Sequence, residues 1–318
     1  MKKLLFFCLF GVLAWAVPVF SPVDTIEING TAKDMVLVNG KLVIATDMGH
    51  IEIYDIEDKK KLQEIMIPDV KDFMGEIMPA RVMSTDLIGE QYLLLSDSGI
   101  GGYSDLYLYR NGKLQKLIGP KDKKAIIKAR FTDEAHILLG YLSDEVALLN
   151  TESGKESYRL QLSESKFSDF MLNEKKTQAV FSCESGVLTI IDVKSGKVVE
   201  ELSGQNVDNV YKVDFKAGKV SGAGQDRRGS IYDVKTKRGS YIEGNFLIYA
   251  TALSPDASKV AFSMDEKNNI SIYETSGKTK IALLKGQKST LNVIIFRDEK
   301  RLVSASDDST IMLWDISK

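Results

Sequence analysis

The chain has 318 residues, 44% hydrophobic and 27% charged, with 42 basic and 44 acidic side chains. The formal charge of −2 supplies no electrostatic footprint for nucleic acid or for anionic lipid. A chain of this length buries an adequate core without disulfide staples, and its two cysteines, Cys8 and Cys183, are too few for a disulfide framework.

The first elements in chain order are those of an export signal. Lys2 and Lys3 form a basic start, residues 4–13 an apolar run too short to span a bilayer comfortably, and Ala14-Trp15-Ala16 an A-x-A cleavage site. The expectation is a signal peptide over 1–16, export to the periplasm, and one mature domain over 17–318. Loss of Lys2 and Lys3 takes the formal charge from −2 to −4 and leaves Cys183 alone, read as a small buried hydrophobe in a strand. No second apolar stretch is long enough to cross a membrane, so the mature chain is expected to stay out of the bilayer.

Residues 23–28 (VDTIEI) alternate as a strand does. A pattern of alternating apolar residues ending in an aromatic or apolar residue and a polar one then recurs seven times. It ends at Asp55, Arg110, Asn150, Asp192, Asp233, Glu274 and Asp315. The steps are 55, 40, 42, 41, 41 and 41 residues, and a period of about 40–45 with strand-like alternation marks propeller blades. The fold expected is all-β, a seven-bladed propeller of four-stranded blades. The last repeat stops after its third strand, so 23–28 is expected to supply the missing outer strand and close the ring.

The first step is the long one. Its excess falls in 68–79 (PDVKDFMGEIMP) and in the glycine-rich hairpin 98–104 (SGIGGYS). Both connections lie on one face of a propeller, where function concentrates. Phe73, Met74 and Met78, with Ile77, are apolar residues that a plain loop does not need. With Arg227 and Arg228 in a turn of the fifth repeat, Phe73, Met74 and Met78 are the candidate partner-binding residues.

The parts of an enzyme are not legible. His50 and His136 fall in different repeats, with no clustered ligand set. The loop 97–105 is too sparse in acids for an EF-hand. Gly222, Gly224 and Gly229 precede a strand, not the helix of a dinucleotide fingerprint. No catalytic residue, metal ligand or cofactor is assigned.

The segment 302–315 (LVSASDDSTIMLWD) resembles the second half of a WD repeat, with Asp308 at the turn aspartate and Trp314-Asp315 as the name-giving dipeptide. Residues 252–256 (ALSPD) resemble the turn before its second strand. Family repeats carry Gly-His before the inner strand; here Gly286-Gln287 and Gly204-Gln205 stand there, so the family's Asp-His-Ser/Thr-Trp relay is not expected to be complete. The overall design is also similar to that of the L-type accessory proteins of periplasmic nitrate reductase systems. That resemblance implies a non-enzymatic, monomeric periplasmic scaffold docking a protein partner, with nitrate reductase components as the partner class. The alternatives are an envelope assembly factor, and a metal-dependent enzyme or small-molecule binder at the central channel.

Overall fold

The computed structural model describes residues 16–317; residues 1–15 of the expected signal lie outside them. Seven antiparallel four-stranded units follow one another round a ring, with inner strands Ala32–Val38, Val82–Ile88, Ile126–Asp133, Phe167–Leu172, Val210–Lys216, Thr251–Leu253 and Leu291–Phe296. The period of about forty-one is thus one blade. Burial peaks in the middle strands: the second strand Lys41–Thr46 of blade one is buried after its first residue, whereas the inner strand Ala32–Val38 is half-buried along its last three residues and the outer strand Glu156–Gln161 of blade three is alternately half-buried and exposed. The β-branched and aliphatic runs therefore occupy the middle strands, which carry neighbours on both faces. Val43 and Ile53 of blade one, for example, pack with Leu94 and Tyr107 of blade two.

The expected closure is present. Asp24–Glu27 pairs antiparallel with Thr310–Asp315, Asp24 opposite Leu313 and Glu27 opposite Thr310. Ile26 and Ile28 are buried with Leu42, Ile44 and Leu313, so the same segment joins the cores of blades seven and one.

One strand was not expected. Val19–Phe20 pairs in parallel with the outer strand Lys280–Leu284 of blade six, making that blade five-stranded. The amides of Leu283 and Lys285 donate to the carbonyls of Pro18 and Phe20, both at 2.9 Å. The N-terminal segment then passes to blade seven past Gly286, which has φ +148° and whose missing Cβ would lie 2.9 Å from the Pro22 ring.

Each disc face has its own connections. Inner-to-second and third-to-outer turns share one face. Second-to-third turns, and the passages from each outer strand to the next blade, share the other.

Candidate functional site

The segment 68–79 forms a small hairpin of its own, Val70–Lys71 paired with Ile77–Met78. Asp72 builds its turn: its Oδ1 accepts the amides of Met74 and Glu76, each at 2.9 Å, and Gly75 takes φ +88°. The tip holds Phe73, 94% exposed, Met74 at 73%, Ile77 at 70% and Met78 at 49%. Isolated two-stranded hairpins are marginal in water, and this one leans on the second long connection. At Gly99, φ +71°, a Cβ would lie 2.2 Å from the Lys71 carbonyl oxygen, so the chain there passes directly against the hairpin. Ile100 and Met48 are exposed on the second-to-third turns of blades two and one, on the same face, and Gly49 approaches Pro79 at the hairpin's base. Both halves of the long step thus lie against one another on this face, with Phe73, Met74, Ile77, Met78 and Ile100 exposed beside Asp69, Asp72 and Glu76 in the sequence. Single exposed hydrophobes are ordinary, but several on one short hairpin make it a candidate contact surface.

Arg227 and Arg228 are not brought to this hairpin. They occupy the second-to-third turn of blade five, on the same face but across the disc. Arg227 is exposed with φ +63°. The Arg228 guanidinium donates to the Gln205 carbonyl at 3.1 Å and lies 4.5 Å from the centroid of the Tyr241 ring, so blade five holds it.

The opposite face opens into the channel. A cavity of about 660 Å³ is lined by Asp34, Asp86, Lys128, Arg130, Asp169 and Lys212 on the inner strands, and reaches the surface between the inner-to-second turns at Gly40 and Gly89. Four aspartates stitch neighbouring blades: Asp34 accepts the Thr85 amide at 3.0 Å, Asp86 that of Phe131 at 2.8 Å, Asp169 that of Val213 at 3.1 Å, and Asp214 that of Leu253 at 2.7 Å. Arg130 grips Asp34 with both terminal nitrogens, at 2.8 and 2.9 Å, and donates to Ser84 Oγ at 2.6 Å. Lys128 Nζ pairs with Asp169 at 2.5 Å. Burial opposes the charge on Asp34, but Arg130 and Lys128 outweigh it and hold the carboxyl down to about 2. For Lys128, burial with the repulsion of Arg130 and Lys212 prevails over the attraction of Asp169 and brings the ammonium down to about 8. Asp86 and Asp214 are pushed above the ordinary carboxylate value by burial. These carboxylates are committed to cations and amides, which does not suit an oxygen cage for a divalent metal.

The histidines are placed as their separation implied. His136 opens the second strand of blade three and faces Asp133 at 2.9 Å. His50 opens the third strand of blade one, is buried, and meets Glu52 at 3.2 Å. Glu64 is near enough to complete a possible metal triad with them, a grouping that sequence separation concealed. Lys61 fills the cation's role there, paired with Glu64 and 3.4 Å from Glu52. Glu52 also accepts Tyr54 Oη at 2.6 Å and the Asn29 amide at 3.0 Å, so the group is a satisfied network binding blade one to the closing segment.

No family model matches the chain. A curated relative, the guanine nucleotide-binding protein subunit beta of Saccharomyces cerevisiae (strain ATCC 204508 / S288c), is 25% identical over 221 residues, 67% of this chain and 48% of the relative. The chain therefore spans about half the length of that relative. The likeness and the seven four-stranded blades agree. Together they support a WD-repeat β-propeller. The narrower likeness to nitrate reductase accessory proteins finds no support in these comparisons.

The family's relay is incomplete at blade seven for want of a histidine, but a substitute stands in its place. A relay forms there without histidine. Trp314 Nε1 donates to Ser304 Oγ at 2.8 Å, and Ser304 Oγ donates to Gln287 Oε1 at 2.8 Å. Gln287 Nε2 donates to Ser306 Oγ at 2.5 Å, and Ser306 Oγ reaches Asp308 at 2.8 Å. An amide can accept at one end and donate at the other, as a neutral imidazole does. Gln287 therefore carries the relay, with Ser306 as an added link.

Proposed function

We propose that this propeller is a non-enzymatic scaffold that captures a protein partner through the hairpin 68–79. The observation that carries the reading is the hairpin itself, with four apolar side chains presented to solvent on a turn ordered by Asp72 and braced by the chain at Gly99. Methionines adapt to irregular partner surfaces, and a large aromatic at the tip is the kind of anchor that dominates interface energetics. The neighbouring acidic residues suit a partner whose apolar site is flanked by lysine or arginine. The signal-like start of the sequence, Lys2 and Lys3 before an apolar run and Ala14-Trp15-Ala16, supports an encounter in the periplasm. The resemblance in design to nitrate reductase accessory proteins makes a component of that system the first partner to try.

Pull-down from a periplasmic extract tests the reading. Replacing the tip 72–76 by a tight turn, which keeps Val70 in the core it shares with Ile67 and Ala80, abolishes capture while circular dichroism is unchanged, since exposed loop residues are removed at little cost. Phe73→Ser with Met78→Ser removes most of it, and Val198→Ser with Val199→Ser, exposed on the outer strand of blade four, leaves it intact. Equal recovery by wild type and the shortened chain means that the hairpin is not the contact.

A further inference from the structure

We infer that the channel is a binding site for a small anion carrying oxygen acceptors, of the phosphate or short dicarboxylate kind, held between Lys128 and Lys212. The charges within the channel do not cancel pairwise. Arg130 has Asp34, and Lys128 has Asp169, while Asp86 spends its oxygens on the amides of Leu87 and Phe131. Among the described residues no carboxylate forms an ion pair with Lys212. Asp214, two residues along the same strand, does not serve it: that carboxyl accepts the amides of Leu253 and Phe215, and the cation that acts on it most is Lys216. Lys212 acts instead on Asp34 and Lys128. Two ammonium groups on the inner strands of blades three and five therefore face one another's field across the lumen, and among the described residues Lys212 has no carboxylate at ion-pair distance.

An unpaired cation in a cavity walled by buried side chains attracts an anion more strongly than one on a surface, because screening is weak there. An ammonium has three donors. Lys128 spends one on Asp169, which leaves both lysines donors for acceptor oxygens. The cavity, about 660 Å³, is within the range of small-molecule sites. Its mouth carries Lys176, Lys216 and Glu174; Glu174 accepts the Ala217 amide and Lys176 donates to the Phe131 carbonyl at 2.8 Å, which leaves Lys216 to favour entry of negative charge. This site lies on the face opposite the hairpin and does not depend on the docking proposal.

Isothermal titration at pH 7 with inorganic phosphate, and separately with succinate, tests the site. One anion per chain is expected for at least one of the two. Lys212→Met weakens that binding at least tenfold, Lys212→Arg keeps most of it, and melting curves report whether each variant folds. Since the anion favours charged Lys128, affinity falls as pH rises through about 8. Phe73→Ser with Met78→Ser binds the anion as wild type does, so failure of the docking reading leaves this result standing. Binding of neither anion at millimolar concentration, or equal binding by folded Lys212→Met, overturns the assignment.

Discussion

Asp144 turns the chain into the third strand of blade three, buried and at φ +61°. One carboxyl oxygen accepts Ser163 Oγ at 2.6 Å, while Oδ1 has no partner. Burial lifts this carboxyl to about 6 against the modest opposing effect of Ser163. The folded chain therefore holds that proton more tightly than the unfolded chain does. Its stabilising contribution is complete below about pH 4 and is lost as pH rises through 6, a change on the order of 3 kcal/mol. Asp144→Asn, an amide suited to left-handed backbone, removes this dependence. Melting temperatures of both proteins between pH 4 and 7.5 check it: their difference shifts in favour of the variant as pH rises, and parallel profiles contradict the account. Gln287 gives a second test at this scale. Gln287→Leu leaves Ser304 and Ser306 short of partners in a buried site and costs about 2 kcal/mol in urea unfolding. Gln287→His restores the relay's usual link and costs less than half of that. Neither behaviour was legible in the sequence, because a carboxyl's missing partner and an amide's two-ended bonding are facts of three-dimensional neighbours.

Among the elements, the closing strand was legible and the parallel strand beside it was not. Residues 23–28 alternate, and the last repeat visibly lacks a fourth strand. Val19–Phe20 is two residues long, shows no period, and gains its place through the bend at Gly286. The two segments differ in what they secure. A chain beginning at Ser21 loses two residues of pairing at the rim of blade six and melts a few degrees lower, with its elution unchanged from that of the full chain. A chain beginning at Gly30 also loses Ile26 and Ile28, each worth about 2 kcal/mol of burial, and bares the edge of Thr310–Asp315. It unfolds cooperatively at much lower temperature or aggregates. Thermal melting with size-exclusion chromatography separates the two, and equal melting of both chains refutes the division of labour.

For the molecule as a whole, the repeat spacing carried the fold because a blade is one period of chain, and the long first step located the hairpin because an insertion breaks that period. The channel could not be read in advance. Its Asp34, Lys128, Asp169 and Lys212 come one from each of four blades, each an ordinary charged residue in its own strand until the ring is closed. Sequence also could not say whether 68–79 lies flat; the close approach at Gly99 decides that it stands supported at the surface. The two faces then divide the molecule, an apolar hairpin on one and a cavity lined by both signs of charge on the other. Docking at the hairpin is the central claim, and photo-crosslinking in living cells tests it most directly. A photo-reactive phenylalanine analogue replaces Phe73 in one variant and Val198, on the outer strand of blade four, in another. The account predicts a discrete protein adduct from position 73 that disappears when Met74 and Met78 are changed to serine, with none from position 198. Adducts equal at both positions, or an adduct at 73 indifferent to those two methionines, would contradict it.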